Sequence, residues 1–144
     1  MVSTKEILNK FKRIALVGAS KDLNKTSSIV MKYLQHYGFK VYPVNPSAKG
    51  QKILGEEVFA KITDINNSVD IVDVFRPSRE VLDIAKDTVN IGAKVLWLQL
   101  GIKNKEAKKI VEENNIEYVE DKCTKMEYQK HFLKVRQAFP VLSD

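Results

Sequence analysis

Short, almost uninterrupted apolar runs alternate with amphipathic stretches along this chain, and that alternation limits the fold more than any other feature. Residues 13–17, 39–44, 70–75, 94–100 and 116–119 read as strands. Runs that are apolar at consecutive positions, not at every second one, suit strands buried on both faces. Such strands belong to parallel sheets covered by helices. The intervening segments carry helical spacing: 3 to about 10, 27–37, 78–90, 104–114 and 124 to about 138. Ile29, Val30, Tyr33 and Leu34 form the expected apolar face of the second helix. Ser3 with Glu6, and Thr124 with Glu127, match the capping-box pattern that opens a helix. Gly38 and Gly92 stand where a helix ends. Pro43 is expected at the end of its strand, because proline cannot donate into a ladder, and 45–53 reads as loop.

Strand and helix recurring at about 25-residue intervals predict an α/β fold: a Rossmann-like, doubly wound parallel sheet with helices on both faces. The 144 residues suit a single domain over 1–144. A core of this size buries about two-thirds of the unfolded surface, so it needs no covalent staple. Ligands of such sheets bind beyond the carboxyl ends of the strands, at the point where the strand order reverses. The loops to search are therefore 18–28, 45–52, 75–78, 99–104 and 120–124.

The first of these runs from Gly18 to Ser28 and leads into a helix N-terminus, where unpaired N–H groups and the helix dipole favour an anion. Ser20, Ser27 and Ser28 add hydroxyls, and Lys21 and Lys25 add charge, so the loop reads as a phosphate cradle. An ordinary turn with a serine cap is the alternative. The dinucleotide fingerprint needs three spaced glycines and, about 20 residues later, an acid for the ribose. This loop has one glycine, and the second strand ends Val44-Asn45-Pro46 with no carboxylate. An NAD(P)-binding oxidoreductase is thus the second reading.

Composition closes off other classes. With one cysteine, Cys123, the chain forms no internal disulfide and no cysteine metal cluster, and its two histidines lack ligand spacing. No metal site is expected. No apolar run approaches the ~20 residues of a membrane span, and residues 1–6 lack the apolar core of a secretion signal. The expectation is a cytoplasmic protein. A net charge of +6 favours anionic partners, or is simply a lysine-rich solvated surface. No basic run and no interleaved aromatics mark a nucleic-acid interface.

The motifs Ala15-Leu16-Val17-Gly18-Ala19-Ser20 with Ser27-Ser28, Val41-Tyr42-Pro43-Val44-Asn45-Pro46 and Ile53-Leu54-Gly55 resemble the CoA-binding protein family. So do Val69 to Arg76, Leu96-Trp97-Leu98-Gln99-Leu100-Gly101 and Asp121-Lys122-Cys123. These are stand-alone relatives of the CoA-binding domain in the succinyl-CoA synthetase α subunit, and the similarity runs from about 12 to 128. The resemblance implies coenzyme A or an acyl-CoA as ligand. It implies phosphate contacts from Gly18, Ala19, Ser20 and Ser28, with Lys25 beside them. It places the nucleotide end near Val44, Asn45 and Pro46, and Lys49 on a phosphate. Phe75, Arg76 and Ser78, then Gln99 and Gly101, correspond to the next two loops. Arg76 suits bidentate phosphate pairing.

No catalytic constellation is visible: no Ser-His-Asp order, no paired carboxylates, and no histidine matching the phosphorylated one of the synthetases. A binding module, sensor or subunit is the expected role. Strand alternation puts Trp97 under a helix, outside the site. Cys123 is either a small buried residue or a partner for the CoA thiol in a mixed disulfide. Phe132, Val135 and Phe139 share a helical face that either packs on the sheet or forms a homo-oligomer contact.

Overall fold

The computed structural model describes residues 2–134. In chain order the elements are α1 (Thr4–Lys10), β1 (Arg13–Val17), α2 (Thr26–His36), β2 (Lys40–Val44), β3 (Lys52–Ile53) and β4 (Glu56–Glu57). They continue with β5 (Ile71–Val74), α3 (Val81–Asn90), β6 (Val95–Leu98), α4 (Lys105–Glu113), β7 (Glu117–Val119) and α5 (Thr124–Tyr128). Five strands form a parallel sheet in the order β2-β1-β5-β6-β7. The order reverses between β1 and β5, which makes the carboxyl ends of β1, β2 and β5 the expected ligand position. Among the described residues no helix is long and apolar enough to cross a membrane.

Strand alternation divides the interior into two cores. Ile14, Leu16, Val41, Ile71, Val95 and Trp97 face one layer, built from α1, α2 and the α5 region through Ile7, Leu8, Met31 and Leu34. Ala15, Tyr42, Val44, Val72, Val74, Leu96 and Leu98 face the other, built from α3 and α4 through Val81, Ala85, Ala107 and Val111. This is the doubly wound architecture expected from the consecutive apolar positions.

Pro43 lies within β2, at its fourth position. The bonds linking β2 to β1 involve Lys40 N–H, on the Lys12 carbonyl at 2.8 Å, and the Val44 carbonyl, which accepts from Gly18 N–H at 3.0 Å. The missing N–H of Pro43 therefore falls on the outer side, where only its carbonyl is used, accepting from Phe59 N–H at 3.0 Å. Phe59 forms a lone parallel bridge to Val44 and extends the sheet one position beyond β2. The stretch expected as loop holds a 3-10 turn, Pro46–Ala48, and enters the β3–β4 hairpin. Leu54 and Gly55 make that hairpin's two-residue turn, both with positive φ.

Two expectations about helices need correction. Ile29 is 46% exposed, and α2 buries Val30, Met31 and Leu34 together with Ser27 and Ser28. The Ser3–Glu6 capping box forms, but the Thr124–Glu127 box does not. Cys123 is the cap of α5 and makes no side-chain bond there. Thr124 turns inward, its hydroxyl donating to Asp73 at 3.1 Å, and Glu127 instead accepts from the Thr4 hydroxyl at 2.6 Å. After Tyr128 the helix widens into a π turn, Gln129–Leu133, and Lys134 is left-handed. Val135, Ala138 and Phe139 lie outside the described residues.

Candidate ligand-binding cleft

A cleft of about 730 Å³ opens at the carboxyl ends of β1, β2 and β5. Gly18 ends β1 at φ +96°, and a Cβ there would lie 3.0 Å from the Phe75 carbonyl oxygen and 3.1 Å from Arg76 Cδ. Glycine is needed twice over, for the backbone angle and for the close approach of the loop after β5. The N–H groups of Gly18 and Ala19 donate to the Val44 carbonyl at 3.0 and 3.2 Å, tying the loop to β2. Ser28 donates to the Ser20 carbonyl at 2.7 Å, and Asp22 N–H donates to the Ser20 hydroxyl at 3.0 Å. The loop then delivers the start of α2, with Lys25, Thr26 and Ser27 on the cleft wall. Lys25 occupies the cap position without a side-chain bond, so the first N–H groups of this eleven-residue helix remain free of a side-chain cap.

Lys61 and Arg76 also line the cleft, facing it together with Glu80 and Asp87. Arg76 grips Glu80 in a fork, Nε to Oε1 at 3.0 Å and Nη2 to Oε2 at 2.7 Å. Those bonds raise the Arg76 pKa and lower that of Glu80. The guanidinium has further N–H groups beyond the two this pair uses. Asn45 braces the floor: its amide donates to the Ala19 carbonyl at 2.9 Å, and its side-chain oxygen accepts from Ser47 N–H at 2.9 Å.

Of the residues singled out from the sequence, Gly18, Ala19, Ser20, Lys25, Val44, Asn45, Pro46, Phe75 and Arg76 line this cleft. Five do not. Ser28 is buried behind the loop it braces. Lys49 lines a separate cavity of about 280 Å³ with Glu57 and Asp64. The Ser78 hydroxyl accepts from Lys103 N–H at 3.1 Å and its carbonyl from the Asn104 amide at 3.0 Å, so Ser78 joins the 3-10 turn ahead of α3 to the β6–α4 loop. Gly101 is exposed beyond β6, its N–H held by Asp121 at 2.7 Å.

Gln99 points into the core on the same face as Trp97, where its amide donates to Asp73 at 2.6 Å and Thr124 at 3.0 Å. Asp73 is fully buried, and among the described residues no cation pairs with it. Burial pushes its carboxyl up to about 7 against the opposing hydrogen bonds from Gln99 and Thr124. Trp97 is fully buried and donates to the Lys122 carbonyl at 2.8 Å. Cys123 packs in the core and does not line the cleft. Lys21 reaches Gln51 instead of the cleft.

The sequence reading missed the wall formed by Ala60, Lys61 and Ile62, and the stripe made by Glu80 at the cap of α3 with Ile84 and Asp87 inside it. The first group follows the Phe59 bridge, a single residue long, which leaves no strand pattern to read. The second shares an i, i+4, i+7 stripe, but periodicity alone does not say that this stripe meets a cleft.

Comparison with known proteins decides the family. The family model described as a CoA binding domain matches residues 12–129. The chain belongs to the CoA-binding domain family. Among its relatives, YneT of Bacillus subtilis is 36% identical over 122 residues, covering 85% of this chain and 89% of YneT. A solved structure from Thermus thermophilus, cell-free ID.343, superposes with a TM-score of 0.86 at 35% identity, covering 91% of this chain and all of that one. The ADP-forming acetate–CoA ligase of Methanocaldococcus jannaschii is 29% identical over 83 residues, covering 58% of this chain but only 12% of the ligase. Membership in the CoA-binding domain family supports coenzyme A as the ligand class.

Proposed function

We propose that the chain binds coenzyme A or an acyl-CoA in this cleft and acts as a non-catalytic module: a sensor, a carrier, or a subunit lending its site to a partner enzyme. The observation that carries this reading is the helix start of α2, uncapped by any side chain, beside the Gly18–Ser20 turn and Lys25, with Lys61 and Arg76 on the same cleft. Coenzyme A carries a diphosphate and a ribose 3′-phosphate. Free backbone donors and three cations on one cleft suit such a polyanion, and the cleft volume falls within the usual range for cofactor sites. The bare Gly18 lets the loop after β5 close against this turn, with Phe75 and Arg76 filling the space a side chain would take, and so brings Arg76 to the same cleft.

The dinucleotide reading has less support. Gly18 is the only glycine of the turn, and the position after β2 holds Asn45, whose amide is engaged in bracing the loop. The hydroxyls on the cleft wall belong to Ser20, Thr26, Ser27 and Ser47, and neither histidine stands beside them to serve as a base. Amide chemical-shift mapping with coenzyme A tests the reading. Shifts concentrated at 18–20, 25–27, 45–47, 60–62 and 75–76 support it. Shifts confined to the opposite end of the sheet, around Lys12 and Glu117, overturn it.

A further inference from the structure

The wall contributed by α3 has a chemistry unlike the rest of the cleft. Glu80, the cap residue of α3, and Ile84 and Asp87 within the helix follow one another at i, i+4 and i+7 along one stripe, and all three line the cavity. Glu80 is committed to Arg76. Asp87 is half-buried, and among the described residues its carboxylate takes part in no ion pair. Beside it the cleft is apolar: Ile84 lies on the same stripe, and Ile62 comes from a 3-10 turn, Ile62–Asp64, that packs on α3.

A carboxylate only accepts hydrogen bonds, and it repels phosphate oxygens. The part of a ligand that settles against Asp87 is therefore uncharged, carries an N–H donor, and has apolar surface for the two isoleucines. The phosphates belong at the other wall, by α2 and its lysine. A purine base is joined to those phosphates through a single ribose, so it reaches α3 within the same cleft. Resting on the reading of the cleft as a coenzyme A site, we propose that Asp87 is the base-reading residue. Its carboxylate accepts from the exocyclic amine of a 6-aminopurine lying against Ile62 and Ile84, so the cleft selects adenine over a 6-oxopurine.

The experiment is a pair of calorimetric titrations, coenzyme A against the analogue whose adenine has been deaminated to hypoxanthine, on wild type, Asp87→Asn and Asp87→Ala. A hydrogen bond to a charged group sets the expected preference of wild type for adenine at about tenfold or more. Both variants bring the ratio of the two affinities to within about twofold. Removing the negative charge strengthens binding of both ligands through their phosphates, and the ratio cancels that effect. Equal affinities in wild type, or a preference that survives in both variants, overturn the assignment while leaving the coenzyme A reading in place. No binding of coenzyme A by wild type removes that reading and the assignment with it.

Discussion

Replacing Asp73 with asparagine should change how stability depends on pH. Asp73 lies in β5 with no solvent exposure, and its carboxylate partners are the Gln99 amide at 2.6 Å and the Thr124 hydroxyl at 3.1 Å. Burial raises its pKa from 3.8 to about 7. Between those values the folded protein holds a proton that the unfolded chain has released. Rising pH therefore favours unfolding, and stability is highest below the unfolded pKa and is lost until the folded pKa is passed. Each pH unit well inside that window costs about 1.4 kcal/mol and the loss tapers off around the folded pKa, so the total from pH 5 to 8 is about 3 kcal/mol. Asparagine keeps the shape and both contacts, its oxygen accepting from Gln99 and its amide donating to Thr124, without the charge. Urea unfolding from pH 5 to 9, followed through the single buried Trp97, measures the effect. The stability of Asp73→Asn relative to wild type should rise by about 3 kcal/mol between pH 5 and 8 and level off above that. Parallel pH profiles for the two proteins would refute the argument.

Gly18→Ala places a Cβ 3.0 Å from the Phe75 carbonyl at a positive φ. It should lower stability by about 1–3 kcal/mol in thermal or urea unfolding. Arg76→Ala should weaken coenzyme A binding by roughly ten- to a hundredfold in calorimetry, the worth of a charge-assisted bond. Its stability should change by less than about 0.5 kcal/mol, because the Arg76–Glu80 pair is an exposed i, i+4 pair. Lys61→Ala should reduce affinity several-fold and flatten its salt dependence. Lys49→Ala should leave affinity within about twofold, since Lys49 lines the other cavity.

The sheet was legible because its strands are buried on both faces and therefore apolar at consecutive positions, as in Ile71 to Val74. The turn after β1 was legible because its glycine, serines and lysine are the residue types an anion site uses. Gln99 shows why a loop position alone misleads: two residues beyond Trp97 on the same strand face, its side chain follows the alternation inward to Asp73. Thr124 and Glu127 have the right spacing for a capping box, but buried Asp73 and the hydroxyl of Thr4 compete for them. Asp87 was hidden for the opposite reason. Nothing in an exposed-looking helix stripe says that the Ile62 turn folds over to make it a cleft wall.

Calorimetric titration of ligand-free protein with coenzyme A at physiological salt, beside dephospho-coenzyme A and NAD, tests whether this cleft is a coenzyme A site. The structure predicts saturable binding of coenzyme A, weaker binding without the 3′-phosphate, and no response to NAD. Tight NAD binding with coenzyme A silent would contradict it.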